Sequence, residues 1–328
     1  MRIAINGFGR IGRTILRQIL TLPRHSGIDI ACVNDIAPLD TCAYLFQYDS
    51  TFGPFAGDVR TQAGAICVND RVIPFHHASD LARIDLRDVD VVLECTGSAR
   101  TSDVARRGLQ AGARSVLISG PSPAADVTVV MGANEADLRD ARIVSNASCT
   151  TNALAPLVRV INQIAGVQRA HMTTIHCYTN SQPMVDAPRG DLARSRGGAQ
   201  SMVATTTSAT ELIGQILPQF QGRISGAAVR VPVASVSAID LVVQMATQMD
   251  QATFGAALKR QVSGSQVLGW TDQPLVSSDL RTRAESLVIA GPEIQVTDNR
   301  QVRVFGWYDN EWGFSARMLD IAGNMARR

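Results

Sequence analysis

A cysteine and a histidine carry the strongest chemical signal in this sequence. Cys149 follows the apolar run 143–145 and precedes a segment with helical spacing, so we expect its thiol at the N-terminus of a helix. The helix dipole and the unpaired backbone N–H groups at such a position stabilise a thiolate and can bind an oxyanion. His176 lies near the end of the predicted strand 170–178. If the fold brings the two side chains together, the imidazole activates the thiol as a nucleophile.

A glycine-rich turn near the N-terminus indicates a dinucleotide-binding site. It contains Gly7, Gly9 and Gly12 and lies between the predicted strand 3–5 and a segment with helical spacing. Glycines in such a turn let backbone N–H groups approach a pyrophosphate at the start of the helix. Asp35 follows the next predicted strand, where a carboxylate accepts hydrogen bonds from an adenine ribose and repels a 2′-phosphate. The pattern therefore predicts NAD as the cofactor.

The first half of the chain has the alternating pattern of a parallel sheet with crossover helices. Apolar runs typical of buried parallel strands alternate with segments of helical spacing, which occupy in order 89–94, 101–110, 115–119, 134–138 and 143–145. An insertion of strands over 59–75 turns at Asn69-Asp70. We predict an α/β, doubly wound Rossmann domain over 1–148, joined by a C-terminal helix at 313–328.

The second half changes character and predicts an α+β catalytic domain over 149–312 with a mostly antiparallel sheet. Its predicted strands are 170–178, 227–231, 236–245 and 301–307, and its predicted helices are 153–164 and 251–262. A polar stretch over 179–206 is too long for a connecting loop without a role of its own.

Composition bounds the class of protein. The chain has 328 residues, 45% hydrophobic and 18% charged, with a formal net charge of +2, which is typical of a globular protein with two domains and excludes a disordered chain. The low charged fraction predicts an oligomer. No basic block indicates nucleic acid as a partner, no apolar run is long enough for a membrane, and no cysteine or histidine spacing indicates a metal, so we expect a cytoplasmic protein with reduced thiols.

Taken together, these residues resemble the phosphorylating glyceraldehyde-3-phosphate dehydrogenase family from end to end. The blocks that carry the resemblance are Ile5 to Arg13, Tyr48 to Thr51, Ala147 to Asn152, Thr173 to His176, Arg230 to Pro232 and Trp307 to Glu311. The resemblance implies that Cys149 forms a thioester with glyceraldehyde 3-phosphate while His176 removes a proton and NAD takes a hydride. Inorganic phosphate then releases 1,3-bisphosphoglycerate. It also implies a homotetramer in which 179–206 is an interface loop.

The resemblance also assigns binding residues, and it assigns no metal ligand. For NAD it implies Gly7, Gly9, Arg10, Ile11, Gly12, Asp35, Thr96, Gly97, Ser119 and Asn310, the last of which would hold the nicotinamide carboxamide. For the phosphate of the substrate it implies Thr179, Ser181 and Arg230. For the attacking phosphate it implies Ser148, Thr150, Thr207 and Ser208.

Four departures from the family pattern leave alternatives open. Ser208 stands where glycine is usual and Glu211 where lysine is common, while Pro183 and Phe314 also replace usual residues. One alternative is a paralogue associated with arsenic resistance, in which arsenate is the attacking oxyanion. Another is erythrose-4-phosphate dehydrogenase, although Thr179 favours glyceraldehyde 3-phosphate as the substrate. Two alternatives from other classes are a non-catalytic NAD-binding scaffold and a cysteine hydrolase, which would not need the glycine turn.

Overall fold

The computed structural model describes all 328 residues, which form two compact units. Unit 1 consists of Met1–Val129, Glu135–Ala147 and Ser315–Arg328, and unit 2 consists of Val130–Asn134 and Ser148–Phe314. Unit 1 is a doubly wound α/β unit and unit 2 is a mixed α/β unit with a largely antiparallel sheet, as the sequence predicts. None of the helices combines the length and the apolar character that crossing a membrane requires.

Unit 1 is organised around a nine-stranded sheet in the order β10-β11-β9-β8-β1-β2-β7-β6-β5. The strands of unit 1 are β1 Arg2–Asn6, β2 Asp29–Asn34, β3 Tyr48–Asp49, β4 Gly53–Pro54, β5 Val59–Gln62, β6 Ala65–Val68, β7 Arg71–His76, β8 Val91–Glu94, β9 Ser115–Ile118, β10 Val127–Thr128 and β11 Ile143–Ser145. Its helices are α1 Arg10–Thr21, α2 Leu39–Gln47 and α3 Ser102–Gln110. All pairings from β10 to β7 are parallel, and β6 and β5 add an antiparallel edge. Since the chain winds outward in both directions from β1, the carboxyl ends of β1, β2, β8 and β9 share one edge of the sheet.

Unit 2 is built on an eight-stranded sheet whose main path is β13-β14-β12-β15-β19-β17-β16, with β18 paired to β19. Its elements are α4 Cys149–Ala165, β12 Val167–Cys177, β13 Val203–Thr205, α5 Ala209–Ile216, β14 Ile224–Val231, β15 Ser237–Met245, α6 Gln251–Val262, β16 Leu268–Thr271, β17 Leu287–Ala290, β18 Gln295–Thr297 and β19 Gln301–Tyr308. The last helix, α7, spans Trp312–Ala326. Only the pairings of β12 with β14 and of β16 with β17 are parallel.

Apolar side chains at helical and strand spacing hold each unit together. In unit 1, Ile3 and Ile5 of β1 are fully buried, as are Ile15 and Leu16 on one face of α1. In unit 2, α4 buries a long apolar stripe that includes Leu154, Leu157, Val158 and Ile161. Burial of each such side chain contributes about 2 kcal/mol relative to exposure, so α4 is anchored along its length.

Three predictions of local structure need correction. Helix α4 begins at Cys149 rather than at residue 153, because Ser148 caps it and the polar residues after the cysteine continue the first turn. The helix predicted over 134–138 is a single 3₁₀ turn, Glu135–Leu138. The polar stretch 179–206 contains a short strand, β13, at its end.

Candidate active site

The N-terminus of α4 positions the cysteine. Ser148 is the N-cap residue, and its Oγ accepts a hydrogen bond of 3.1 Å from the backbone N–H of Thr151. The residue before it, Ala147, has a φ of 53°, a left-handed conformation that turns the chain sharply into the helix. Cys149 therefore occupies the first helical position, where its thiol lies beside unpaired backbone N–H groups.

The structure brings Cys149 and His176 together within unit 2. The Sγ of Cys149 lies 3.5 Å from the Nε2 of His176, within hydrogen-bond distance for sulfur. The imidazole is 6% exposed and is carried by β12, whose partner β14 pairs Arg230 directly with His176. The Nη1 of Arg230 lies 2.7 Å from the Nδ1 of His176 and donates a hydrogen bond of 3.0 Å to the carbonyl oxygen of Cys177. The imidazole of His176 therefore contacts the thiol of Cys149 through Nε2 and the guanidinium of Arg230 through Nδ1.

Burial controls the charge of both members of the pair. It lowers the pKa of His176 to about 4, with a smaller contribution from the positive charge of Arg230, so the imidazole is neutral at pH 7. Burial also raises the pKa of the Cys149 thiol, while Arg230 and hydrogen bonds from Thr150 oppose that rise. The helix N-terminus therefore does not by itself keep the thiol ionised. A neutral imidazole beside a protonated thiol is the arrangement of a base and the nucleophile that it activates.

The Nδ1 of His176 has two partners that require different tautomers. It lies 2.7 Å from the carbonyl oxygen of Cys177, to which it donates when it carries the proton, and Nε2 then accepts from the thiol of Cys149. In the other tautomer Nδ1 accepts from Arg230, and Nε2–H donates to a thiolate. The same contacts therefore serve both protonation states of the cysteine.

A buried chain of hydroxyl groups lies behind the cysteine, and the sequence reading missed two of its members. The hydroxyl of Tyr308 lies 2.9 Å from the Oγ1 of Thr150 and 2.8 Å from the Oγ1 of Thr174. Thr174 donates onward to the carbonyl oxygen of Ala238. Burial raises the pKa of Tyr308, so its hydroxyl stays protonated. Strand alternation was the available signal, because Thr174 lies two residues before His176 in β12 and shares its face.

The predicted anion-binding residues are less closely assembled. Thr179 and Ser181 follow β12, and their hydroxyl oxygens lie 2.9 Å apart. Thr207 accepts a hydrogen bond from the backbone of Ala209 at the start of α5, where Ser208 is exposed and makes no side-chain cap. Of the predicted phosphate ligands, only Arg230 directly contacts His176.

Asn310 lies on a firmly held turn after β19. The preceding residue, Asp309, is 2% exposed, and its carboxylate accepts hydrogen bonds from the backbone N–H groups of Thr282, Glu311 and Trp312. The Oδ1 of Asn310 accepts a hydrogen bond of 3.1 Å from the Sγ of Cys177. The sequence pattern indicated no role for Cys177.

In unit 1 the predicted cofactor residues meet at the carboxyl edge of the sheet. Gly7 has a φ of 93°, and a Cβ built there would lie 2.6 Å from the backbone nitrogen of Thr96. A Cβ on Gly12 would overlap the carbonyl oxygen of Gly7. Gly9, by contrast, is the N-cap of α1, and a Cβ there would meet nothing within 4 Å. Two glycines therefore build the turn, while the third leaves open space before a helix N-terminus, which fits a pyrophosphate.

The remaining cofactor residues surround this turn. One oxygen of Asp35 accepts a hydrogen bond of 2.6 Å from the backbone of Phe8, and the other accepts from the backbone of Ala37, which leaves further lone pairs for ribose hydroxyls. The buried Glu94 accepts from the backbone and hydroxyl of Thr96, and the backbone N–H of Ser119 donates to the carbonyl oxygen of Glu94. Gly97 has a φ of 73°.

Arg10 and Ile11 begin α1, directly after the glycine turn. The guanidinium of Arg10 forms an ion pair of 2.5 Å with Asp49, and Ile11 is half-buried. Asp49 also accepts hydrogen bonds from the backbone of Thr51 and Phe52, so burial of the carboxylate is offset and its pKa is lowered overall. This ion pair joins the start of α1 to the end of β3.

Comparison with known proteins identifies the class. The family model for the glyceraldehyde 3-phosphate dehydrogenase NAD binding domain matches residues 1–102, and the model for the C-terminal domain matches residues 148–310. Glyceraldehyde-3-phosphate dehydrogenase of Pseudomonas aeruginosa is 44% identical over 98% of this chain and 97% of that protein. The Xanthobacter flavus protein of the same name is 42% identical over 100% and 99%, and glyceraldehyde-3-phosphate dehydrogenase 2 of Bacillus subtilis is 39% identical over 100% and 97%.

The fold and these matches define an NAD-dependent oxidoreductase. The chain belongs to the glyceraldehyde 3-phosphate dehydrogenase family. The resemblance, the fold class and the cofactor predicted from the sequence are thereby confirmed. The three relatives give no support to the erythrose-4-phosphate or arsenate alternatives, since all are named for glyceraldehyde 3-phosphate.

Proposed function

We propose that this chain catalyses the NAD-dependent oxidative phosphorylation of glyceraldehyde 3-phosphate to 1,3-bisphosphoglycerate through a thioester on Cys149. The observation that carries the proposal is the 3.5 Å contact between the Cys149 thiol and the neutral imidazole of His176 at the start of α4. This pair generates a nucleophile where unpaired backbone N–H groups stabilise the oxyanion that forms on attack.

The reaction proceeds in two halves. His176 takes the thiol proton, the sulfur of Cys149 adds to the aldehyde carbon as the C=O double bond becomes a single bond, and the imidazolium returns the proton to that oxygen to give a hemithioacetal. The Nε2 of His176 then holds the proton of the hemithioacetal hydroxyl as the carbon is oxidised to a thioester. Bound NAD supplies the hydride acceptor for that oxidation. In the second half, an oxygen of inorganic phosphate attacks the thioester carbon, the C–S bond breaks, and the acyl phosphate leaves while the departing thiolate of Cys149 takes back the proton held by His176.

The chain's own residues account for cofactor binding in this scheme. Gly7, Gly9 and Gly12, with the backbone of Arg10 and Ile11, would hold the pyrophosphate at the start of α1. Asp35 would accept hydrogen bonds from the adenine ribose, and Asn310 would bind the carboxamide of the nicotinamide. Further cofactor contacts are proposed for Thr96, Gly97 and Ser119. The open space at Gly9 and the spare lone pairs of Asp35 support these roles.

Two anion sites are proposed beside the nucleophile. Arg230, a permanent cation, would bind the phosphate of the substrate together with Thr179 and Ser181. Its contact with His176 supports this role, since it places positive charge next to the reacting groups. The attacking phosphate would be bound by the hydroxyl and backbone groups of Ser148, Thr150, Thr207 and Ser208. Arsenate has the same shape and charge and would enter the same site.

We also propose a homotetramer, with 179–206 as the interface loop. In that loop Met184 is 82% exposed and Leu192 is 90% exposed, and Val185 and Met202 are also exposed. Several large, exposed apolar side chains in one loop support the proposal that another subunit covers this surface.

Four further assignments accompany this activity. A cytoplasmic location and a place in glycolysis are proposed with the activity, and the six unpaired cysteines support a reducing compartment. A domain division into 1–148 with 313–328 and 149–312 is supported by the two compact units. The sequence contains no concentrated basic block, which supports small-molecule ligands rather than nucleic acid as partners.

The test follows absorbance at 340 nm with NAD and glyceraldehyde 3-phosphate, in the presence of no oxyanion, phosphate or arsenate. We expect sustained NADH formation with phosphate. Without an oxyanion we expect a burst of about one NADH per subunit, because the thioester accumulates. Cys149→Ser is the control and should show neither burst nor turnover.

Other outcomes would contradict parts of the proposal. Turnover with erythrose 4-phosphate but not with glyceraldehyde 3-phosphate would replace the substrate. A marked preference for arsenate over phosphate would replace the oxyanion. Silence with both aldehydes, in a protein that still binds NAD, would indicate a non-catalytic scaffold.

A further inference from the structure

Cys177 is adjacent to the proposed catalytic base, His176, and contacts the proposed cofactor ligand, Asn310. It is the last residue of β12 and directly follows His176. Because successive strand residues point to opposite faces, the imidazole is directed to Cys149 while the sulfur of Cys177 is directed to Asn310. Cys177 is 1% exposed, so its thiol is isolated from solvent.

The backbone of Cys177 is fixed on both sides of its side chain. Its N–H donates a hydrogen bond of 3.2 Å to the Oγ of Ser237, and its carbonyl oxygen accepts from Arg230. The same carbonyl oxygen lies 2.7 Å from the Nδ1 of His176. With its backbone held by these groups, the thiol has a defined position from which to hold another side chain.

The direction of the hydrogen bond between Cys177 and Asn310 follows from the chemistry of its two ends. Burial raises the pKa of Cys177 to about 12, so the sulfur carries its proton at neutral pH. A protonated thiol is a weak donor and a weak acceptor, whereas an amide oxygen is a good acceptor, so the hydrogen bond runs from the Sγ of Cys177 to the Oδ1 of Asn310. The Nδ2 of Asn310 and one lone pair of its Oδ1 are then left for a ligand.

We propose that Cys177 is a positioning residue for the cofactor, whose thiol fixes the side-chain amide of Asn310 in the orientation that binds the nicotinamide carboxamide. The inference rests on the proposed role of Asn310. Two adjacent residues of β12 would then have different roles. His176 acts on the substrate bound to Cys149, and Cys177 orients the Asn310 amide that binds the nicotinamide. Loss of the thiol therefore weakens the binding of the nicotinamide end of the cofactor and leaves the adenosine end unaffected.

The experiment measures the dissociation constants of NAD and of ADP-ribose, which lacks nicotinamide, by titration calorimetry on the full chain. We expect Cys177→Ala to weaken NAD about fivefold, the effect of one neutral hydrogen bond, and to leave ADP-ribose unchanged. Cys177→Ser keeps a donor and should stay within about twofold of the parent chain. Cys32→Ala, another buried strand cysteine, is the matched control and should change neither ligand.

A second set of variants separates positioning from simple packing. In an Asn310→Ala background the further change Cys177→Ala should have no additional effect on NAD, because the group that it orients is absent. Equal losses in Cys177→Ala and Cys177→Ser, an equal loss for ADP-ribose, or an undiminished effect in the Asn310→Ala background would each overturn the inference. Absence of glyceraldehyde 3-phosphate oxidation, with the binding pattern intact, would overturn the proposed function and not this one.

Discussion

His176 holds its catalytic protonation state through its surroundings rather than through an acidic partner. Burial and Arg230 lower its pKa from 6.5 to about 4, so the folded chain excludes a proton that the unfolded chain binds. Between these two pKa values the unfolded state carries more protons, and the free energy of unfolding therefore falls as the pH falls.

This difference predicts a measurable loss of stability in mild acid. From pH 7.5 to pH 5, His176 alone should reduce the free energy of unfolding by about 2 kcal/mol. His176→Gln cannot titrate and should lose that part of the pH dependence. Denaturant unfolding of both proteins at the two pH values measures it, and identical pH dependence in both would show that the imidazole has the same pKa in the folded and the unfolded chain.

Tyr308 supplies the hydroxyl that joins Thr150 to Thr174 behind the nucleophile. Tyr308→Phe keeps the ring and removes the bridge, so two buried hydroxyl groups lose a partner. We expect a loss of about 1–3 kcal/mol in the free energy of unfolding. Tyr44→Phe, at a side chain that is 61% exposed, is the control and should be neutral. Equal thermal midpoints for the two variants would show that the hydrogen bonds of the Tyr308 hydroxyl do not stabilise the fold.

At the scale of the element, the starts of α4 and α5 differ in their capping. Ser148 caps α4 through its side chain, whereas Ser208, at the same position of α5, makes no side-chain cap. Ser148→Ala should therefore cost about 1 kcal/mol, and Ser208→Ala should cost almost nothing. Chemical denaturation compares them directly, and a larger cost for Ser208→Ala would contradict this account of α4.

The turn between β1 and α1 contains glycines with two different roles: Gly12 is required for close backbone packing, and Gly9 leaves space for a ligand. A methyl group on Gly12 meets the backbone of Gly7, whereas one on Gly9 meets open space. We expect Gly12→Ala to lower the thermal midpoint and Gly9→Ala to preserve it while weakening NAD about tenfold, because the methyl group keeps the pyrophosphate from the backbone N–H groups. Tight NAD binding by Gly9→Ala would place the pyrophosphate elsewhere.

At the scale of the whole molecule, assembly is the property that the loop 179–206 predicts. Leu192→Arg introduces a charge at a side chain that is 90% exposed in the single chain. If that side chain is covered in a tetramer, burying the charge is costly and the assembly should dissociate at micromolar concentration. Sedimentation velocity measures the change, with Val72→Arg at an exposed strand position as the control. A tetramer that persists with Leu192→Arg would show that Leu192 does not lie in the interface.

Much of this architecture was predictable because local sequence and tertiary context agree. The parallel strands of unit 1 are uninterrupted apolar runs, and Gly7, Gly9 and Gly12 mark the turn between β1 and α1. The short strands β16 to β18 and helix α2 were not found. Their local sequences show no clear periodicity, and contacts with distant neighbours stabilise them.

The sequence alone determined the kind of chemistry, since a cysteine at a strand-to-helix junction and a glycine turn before an acid are local patterns with local physical causes. Only the tertiary structure decided how that chemistry is tuned. The pairing of β12 with β14 sets Arg230 against His176, and β19 brings Tyr308 to Thr150. The shifted pKa of His176 and the contact of Cys177 with Asn310 depend on burial and on residues far apart in the chain, and a linear pattern records neither.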